Sequence, residues 1–175
     1  NLASASQCTS AGPGYFATTG STIQTPCPKG SFSNVLTAIK DKCTPCAGGW
    51  YQSAEGATAC TSCEAGSYCP AGAAAPLPCE GGSYSSATNL ESATQCTSCT
   101  RGHYCVSGST APTPCSVANA APHEGMALCD ICLEGSYQNE EGQPSCKPCP
   151  EGFFCPLGSA APIPASCDAG TYVPG

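Results

Sequence analysis

The aromatic residues of this chain mark a short motif that recurs along its whole length. All twelve of them lie in or beside a Gly-x-aromatic triplet. The triplets end at Phe16, Phe32, Tyr51, Tyr68, Tyr84, Tyr104, Tyr137, Phe154 and Tyr172. A fixed period of this kind is typical of repeat proteins. Glycine permits a tight turn and the aromatic side chain supplies apolar burial, so the motif predicts one short β-hairpin or turn per unit.

The spacing of the triplets predicts ten units of about 17 residues. One step is double, because the unit at residues 115–119 lacks its aromatic residue. A longer period lies on top, since residues 1–10 recur with two substitutions as residues 89–98. We therefore expect two five-unit cysteine-rich halves, residues 1–88 and 89–175, that arose by internal duplication. Their terminal units are incomplete, and we expect the next copy to continue them.

The predicted fold class is small and disulfide-rich, mostly irregular with short β-hairpins. Units that contact only their neighbours would form an elongated tandem-repeat rod. We expect little helix, with one helical turn at residues 34–42. The Ala/Ser/Thr/Pro strips after the short units favour extended polyproline II.

Composition indicates an oxidising, extracellular setting. The chain has 18 cysteines, 20 glycines and 17 prolines in 175 residues, and only 10% of its residues are charged. Too little aliphatic surface is present to offset chain entropy, so disulfides must hold the fold. Because disulfides persist outside the cytosol, we expect a secreted or cell-surface protein that needs no cofactor. A net charge of −7 without a basic patch argues against nucleic acid binding, and no apolar run is long enough for a membrane span.

The cysteine spacing predicts a ladder of nearest-neighbour disulfides. Long units place 13 to 16 residues between two cysteines and short units place five. The first short unit has Ala11 and Ala17 where a later one has Cys99 and Cys105, as if one bridge had been lost. The predicted pairs are Cys27–Cys43, Cys46–Cys60, Cys63–Cys69, Cys79–Cys96, Cys99–Cys105, Cys115–Cys129, Cys132–Cys146 and Cys149–Cys155. Nested pairings of the tumour-necrosis-factor-receptor kind are the alternative.

Cys8 and Cys167 are left over. Cys167 opens a long unit and Cys8 closes one, and joining residue 175 to residue 1 of another copy leaves 15 residues between them. We expect this inter-copy junction to form a bridge, either between chains that meet head to tail or within a longer array. Since no signal peptide is present, we expect a processed chain or part of a longer one. Free or locally paired thiols are the alternative.

Hydroxyl groups beside prolines are candidate acceptors of covalent O-linked glycans. They belong mainly to the strips that follow the short units. The candidates are Thr18, Thr19, Ser21, Thr22, Thr25, Ser107, Ser109, Thr110, Thr113 and Ser159. Plain solvated loops are the alternative.

Other chemistry is weakly represented. Two sets of cysteines have the spacing of a zinc ribbon: Cys43, Cys46, Cys60 and Cys63, and then Cys129, Cys132, Cys146 and Cys149. That scheme leaves ten cysteines unexplained. His103 and His123 form no recognisable catalytic constellation with other residues, so we expect no metal site, no catalytic residues and no enzyme activity.

The order Cys-x-x-Cys-x-x-Gly-x-Tyr-Cys, followed by Gly-x5-Pro-Cys-x-x-Gly-x-Tyr, resembles the ephrin-receptor-like cysteine-rich repeats. Residues 96–105 and 146–155 carry the resemblance best, and residues 11–17 and 115–120 depart from it. The chain looks most like the mastigoneme-type extracellular filament proteins of protists and algae. This resemblance implies a structural subunit of a glycosylated extracellular filament or appendage that propagates head to tail. The alternative is a receptor or adhesin ectodomain that binds a protein or glycan ligand.

Overall fold

A computed structural model describes residues 8–34 and 41–165 of the chain. Within them, regular structure consists of nine two-stranded antiparallel sheets and one 3-10 turn at Ala93–Gln95. The expected class, disulfide-rich with short hairpins and almost no helix, is confirmed. The helical turn expected at residues 34–42 falls mostly on residues 35–40, which lie outside the described residues.

Each sheet is one hairpin, and the hairpins are numbered 1 to 9 in chain order. The chain divides into two compact units, of which the first takes in residues 1–78 and 87–95. Its hairpins 1 to 4 pair β1 (Tyr15–Phe16) with β2 (Thr25–Pro26), β3 (Ser31–Phe32) with β4 (Thr44–Pro45), β5 (Trp50–Tyr51) with β6 (Thr61–Ser62), and β7 (Ser67–Tyr68) with β8 (Leu77–Pro78).

The second compact unit takes in residues 79–86 and 96–175. Its hairpins 5 to 9 pair β9 (Ser83–Tyr84) with β10 (Thr97–Ser98), β11 (His103–Tyr104) with β12 (Thr113–Pro114), β13 (Asn119–Ala120) with β14 (Asp130–Ile131), β15 (Ser136–Tyr137) with β16 (Lys147–Pro148), and β17 (Phe153–Phe154) with β18 (Ile163–Pro164). The duplication into residues 1–88 and 89–175 concerns sequence ancestry and stays a prediction.

The Gly-x-aromatic triplet forms the turn and first strand of each hairpin that carries it. In hairpin 2 the amide of Ser31 donates to the carbonyl of Pro28 at 3.1 Å, which closes a four-residue turn. Gly30, the third residue of that turn, has φ +79°. A type II turn requires a positive φ there, which is why glycine occupies the position. After the second strand, the amide of Cys46 donates to the carbonyl of Gly30 at 2.8 Å and completes the hairpin.

The unit without an aromatic residue also folds as a hairpin. In hairpin 7, Ala120 stands in the aromatic position and pairs with Asp130. Ala118 takes the place of the glycine at φ +67°, and its carbonyl accepts the amide of Cys132 at 2.9 Å. The hairpin therefore depends on main-chain hydrogen bonds and not on the aromatic ring.

Half-cystines fill more of the interior than aromatic rings do. Trp50, Phe153 and Phe154 are 40–51% exposed, and the other described aromatic residues are half-buried. Tyr51 packs against the next hairpin, where it meets Cys63, Cys69 and Ala73. The buried half-cystines are Cys27, Cys46, Cys63, Cys69, Cys79, Cys99, Cys105, Cys115, Cys132 and Cys155.

The strips after the short units are not continuous polyproline II. In hairpin 6 the strip begins with a turn, in which the amide of Ser109 donates to the carbonyl of Val106 and Gly108 has φ +79°. It ends as strand β12. The positive φ corrects the expectation, because polyproline II needs a negative φ at each residue.

Candidate assembly contacts and exposed surfaces

Eight disulfides join sixteen of the described cysteines. Their Cα–Cα distances are 5.6–6.1 Å, inside the usual range. The bonded pairs are Cys27–Cys43, Cys46–Cys60, Cys63–Cys69, Cys79–Cys96, Cys99–Cys105, Cys115–Cys129, Cys132–Cys146 and Cys149–Cys155. The connectivity stays a prediction that non-reducing peptide mapping can test.

The two kinds of unit close the same hairpin at different points. A long bridge such as Cys46–Cys60 joins the cysteine before the turn to the cysteine before the second strand, over 14 residues. A short bridge such as Cys63–Cys69 joins the cysteine before the turn to the one directly after the aromatic residue, over six. In the chain-entropy model a loop of about 15 residues contributes about 3 kcal/mol, so these bridges offset the lack of an aliphatic core.

Within each compact unit, consecutive hairpins are joined by main-chain hydrogen bonds that recur as a pair, which we call the stacking contact. Between hairpins 2 and 3, the amide of Gly30 donates to the carbonyl of Gln52 at 2.8 Å, and the amide of Ser33 donates to the carbonyl of Ala57 at 3.1 Å. In each pair the first bond ends on the carbonyl of the residue after the aromatic position of the following hairpin. The second bond ends on a carbonyl in the loop of that hairpin.

The same stacking contact recurs in the second compact unit. Between hairpins 6 and 7, the amide of Gly102 donates to Ala121 at 2.9 Å and the amide of Cys105 donates to Met126 at 3.0 Å. Since only main-chain atoms bond, the contact tolerates different side chains, and it recurs even where hairpin 7 lacks an aromatic residue.

A second contact reaches two hairpins along the chain. The amide of Gly72, in the loop of hairpin 4, donates to the carbonyl of Cys46 at 2.8 Å. Gly142, in the loop of hairpin 8, donates to Cys115 at the same distance. A Cβ added to the turn glycine Gly30 would overlap the carbonyl oxygen of Gly72, so the backbones of hairpins 2 and 4 are in direct contact here.

The residue after the aromatic position is buried in seven of the nine hairpins, a feature that the sequence reasoning missed, whereas Ala17 and Gln52 are half-buried there. Ser33, Cys69, Ser85, Cys105, Ala121, Gln138 and Cys155 hold this position, and all are buried. Gln138 is 1% exposed, and its amide nitrogen Nε2 donates to the carbonyl of Ser145 at 2.7 Å. Its Oε1 accepts the amide of Glu140 at 3.1 Å. The available signal was that no charged residue occupies this position in any unit of the repeat.

Of the two cysteines outside the predicted ladder, Cys8 and Cys167, the structure describes only Cys8. Cys8 is exposed and is the one cysteine without a disulfide among the described residues. Cys167 lies outside the described residues. The inter-copy junction expected between them therefore stays a prediction. Near Cys8, Ala11 is only 6% exposed, at the position that Cys99 holds in the later short unit.

The zinc alternative conflicts with the disulfides. Every cysteine of the two zinc-ribbon sets is bonded to another sulfur, as Cys46 is to Cys60. A disulfide sulfur is no thiolate, and zinc binds thiolates. Across the described part of the chain, no three metal-ligating side chains come together.

The two histidines occupy unrelated surroundings. The Nδ1 atom of His103 lies 3.2 Å from the carbonyl oxygen of Arg101, and the ring lies against Gly142. His123 is exposed in the loop of hairpin 7. The expectation of no enzyme activity stays a prediction.

Most of the candidate glycan acceptors are exposed. The exposed ones are Thr18, Thr19, Ser21, Thr22, Thr25, Ser107, Thr110 and Thr113. Ser109 is half-buried and its hydroxyl donates to Val106 at 2.7 Å. Ser159 is 6% exposed and its hydroxyl donates to Pro156 at 2.6 Å. Ser159 is therefore the least accessible of the candidates in the folded chain, and glycosylation stays a prediction at all of them.

A shallow apolar groove of about 300 Å³ lies in the first compact unit. It is bounded by Phe32 of hairpin 2 and by Trp50, the single tryptophan, of hairpin 3. Ala47, Thr58 and Ala59 complete most of its wall. The described residues include no helix with the length and hydropathy needed to cross a bilayer.

Comparison with known proteins gives one family match. The model of the family described as tyrosine-protein kinase ephrin type A/B receptor-like matches residues 120–162, which cover most of hairpins 7 to 9. A search of curated proteins found no match to the chain. The disulfides and this match together indicate an extracellular or cell-surface location. The chain is a cysteine-rich repeat protein, similar over residues 120–162 to the ephrin-receptor-like repeats.

Proposed function

We propose that the chain is a structural subunit of an extracellular filament or appendage in which copies join head to tail. The stacking contact carries this proposal. It consists of main-chain hydrogen bonds, it recurs along both compact units, and it places few demands on side chains. A contact between non-equivalent ends propagates into an open fibre instead of closing into a dimer.

The junction that we propose is a bridge between Cys8 of one copy and Cys167 of the next. The exposure of Cys8 and its lack of a disulfide among the described residues support this role. The 15 residues that would separate the two cysteines fit the spacing of the long units. The mastigoneme-like character implied by the sequence belongs to the same proposal.

Glycosylation forms the outer layer of the proposed filament. The exposed threonines that support it include Thr25 and Thr113, each at the start of a second strand and directly before a proline. Ser159 supports it least because its hydroxyl is buried.

Non-reducing peptide mapping of native material tests the junction directly. The proposal predicts a peptide that links Cys8 to Cys167, or one continuous chain through that point in a longer array. It also predicts the eight neighbouring pairs of the ladder. Free thiols on both cysteines in a monodisperse monomer would contradict the proposal.

A ligand-binding ectodomain is the second candidate function, and the groove between Phe32 and Trp50 favours it. Exposed aromatic faces suit the apolar faces of sugars and prolines. Because Trp50 is the single tryptophan, its fluorescence reports on this groove alone. Titration with oligosaccharides or proline-rich peptides should quench or shift that fluorescence if the ectodomain function holds, and Trp50→Phe should abolish the signal without unfolding the chain. No change with either class of ligand would remove the support for this function.

A further inference from the structure

Three large aliphatic side chains form an exposed patch in the second compact unit. Ile131 is 48% exposed, Leu133 is 69% exposed and Leu157 is 56% exposed. We call these three residues the aliphatic patch. Monomeric proteins tolerate single exposed leucines, but contiguous apolar surface marks an interaction site more often than chance.

The main chain holds the three residues together. The amide of Gly158 donates to the carbonyl of Cys132 at 2.8 Å. Leu157 directly precedes the donor residue and Leu133 directly follows the acceptor residue. Ile131 lies on the other side, where its Cδ1 would come within 2.9 Å of a Cβ added to Gly158. The patch is therefore fixed by the repeat geometry and does not depend on a flexible loop.

The repeat itself provides an internal comparison. The same hydrogen bond, from a loop residue to a cysteine carbonyl, joins Gly56 to Cys27, Gly72 to Cys46, Asn89 to Cys63, Gly125 to Cys99 and Gly142 to Cys115. The residues that match Ile131, Leu133 and Leu157, one on each side of the cysteine and one before the loop residue, are proline, alanine, serine, threonine or glutamate at those places, and none is a large aliphatic. The scaffold thus folds without leucine or isoleucine at these positions, so the aliphatic patch serves something other than folding.

The surroundings of the patch are acidic. Between Cys129 and Pro156 the chain has five acidic residues and one lysine. That lysine, Lys147, is already paired with Glu140 at 3.0 Å. Asp130 and Glu134 are exposed beside Ile131 and Leu133. An apolar centre with an acidic rim complements a surface that has apolar anchors flanked by lysine or arginine.

We propose that the aliphatic patch docks a basic amphipathic segment of a partner polypeptide, whose apolar side chains cover Leu133 and Leu157 while its cations face Asp130 and Glu134. A second copy of this chain suits the site poorly, because its net charge of −7 would meet the acidic rim with like charge. An anionic lipid surface is disfavoured for the same reason. The inference is independent of the filament proposal, since it needs neither terminus.

Binding of a synthetic amphipathic Leu/Lys peptide to the full oxidised chain tests the proposal. The variant is Leu133→Ser with Leu157→Ser, and the matched control is Ile23→Ser, which alters a 76% exposed isoleucine in the first unit. We expect the double variant to raise Kd by about tenfold or more, because two anchors lose their apolar burial, and the control to leave Kd unchanged. Equal Kd values for the two variants would overturn the proposal.

Two further measurements make the test independent of how the variant folds. In the unaltered chain, the amide resonances of Leu133 and Gly158 should shift on titration, while those of residues around Ile23 should stay in place. A peptide with glutamate in place of lysine, or serine in place of leucine, should bind at least about tenfold more weakly, since each removes one of the two complementary features. Shifts confined to other residues, or binding of the acidic peptide with equal affinity, would show that the patch is not the docking site.

Discussion

Gly102 and Gly142 touch backbone to backbone, although they belong to hairpins 6 and 8. A Cβ added to Gly102 would overlap the carbonyl oxygen of Gly142. The amide of Gly142 also donates to the carbonyl of Cys115 at 2.8 Å, just after the second strand of hairpin 6. Two glycines thus let hairpins that are second neighbours approach within main-chain contact, which sets the spacing of the stack in this compact unit.

Gly102→Ala should therefore destabilise the chain more than Gly135→Ala. Both glycines have nearly the same φ, +80° and +79°, so both variants place alanine in the left-handed region at a cost of about 1–2 kcal/mol. Only Gly102 has the neighbouring carbonyl in the way, since a Cβ at Gly135 would meet nothing within 4 Å. The backbone shift needed to remove that overlap should lower the free energy of unfolding by roughly a further 1–3 kcal/mol.

Urea denaturation of the oxidised variants measures the difference. The account requires a lower midpoint for Gly102→Ala than for Gly135→Ala, with each compared against the unaltered chain. Equal midpoints would mean that the second-neighbour contact contributes nothing to stability beyond the turn itself.

Gln138→Leu should be costly in free energy of unfolding, and Gln52→Leu should cost less. Both glutamine side chains bridge their own loops, with Nε2 donating at 2.7 Å to Ser145 from Gln138 and to Ala59 from Gln52. Gln138 is 1% exposed, so its loss leaves buried loop groups unpaired at a cost of about 1–3 kcal/mol. Gln52 is only half-buried, so water can replace part of its hydrogen bonding. Thermal melts of the two variants should rank in this order, and the reverse ranking would contradict the burial argument.

Ala11→Cys with Ala17→Cys should form an additional disulfide. These positions match Cys99 and Cys105 in the repeat, where the Cα–Cα distance is 6.1 Å. A loop this short should stabilise the chain by about 2 kcal/mol. Mass spectrometry should find the same number of free thiols in the double variant as in the unaltered chain. The single variant Ala17→Cys should have one more. Two reactive thiols in the double variant would show that the first short unit does not share the geometry of the later ones.

Reduction should unfold the chain, and chelation should not. The ten buried half-cystines replace an aliphatic core, so a reduced chain has too little apolar surface to stay folded. Protease resistance should disappear after treatment with dithiothreitol and persist after treatment with EDTA. Unfolding by EDTA alone would revive the zinc alternative.

Sequence reasoning predicted the hairpins well because their determinants are local. A turn glycine such as Gly30 and the strand residue Phe32 beside it are adjacent in sequence, so the triplet alone indicates the turn and the strand. The aromatic residues mattered less than expected, since Ala120 serves in the same place and Phe154 is 51% exposed.

What sequence reasoning missed depends on neighbouring units. The burial of Gln138 and Ser33 comes from the stacking of one hairpin on the next, which the period of the repeat implies but does not locate. The aliphatic patch was invisible for a similar reason. Leu133 and Leu157 are far apart in sequence, and main-chain hydrogen bonds such as the one between Gly158 and Cys132 bring their backbones together.

Electron microscopy of the purified secreted chain, compared with its Cys8→Ser variant, tests the central claim most directly. The account predicts filaments for the unaltered chain under oxidising conditions, and short or dispersed particles for Cys8→Ser with its hairpins intact. Monodisperse particles of the unaltered chain, with the thiols of Cys8 and Cys167 both free, would contradict head-to-tail assembly.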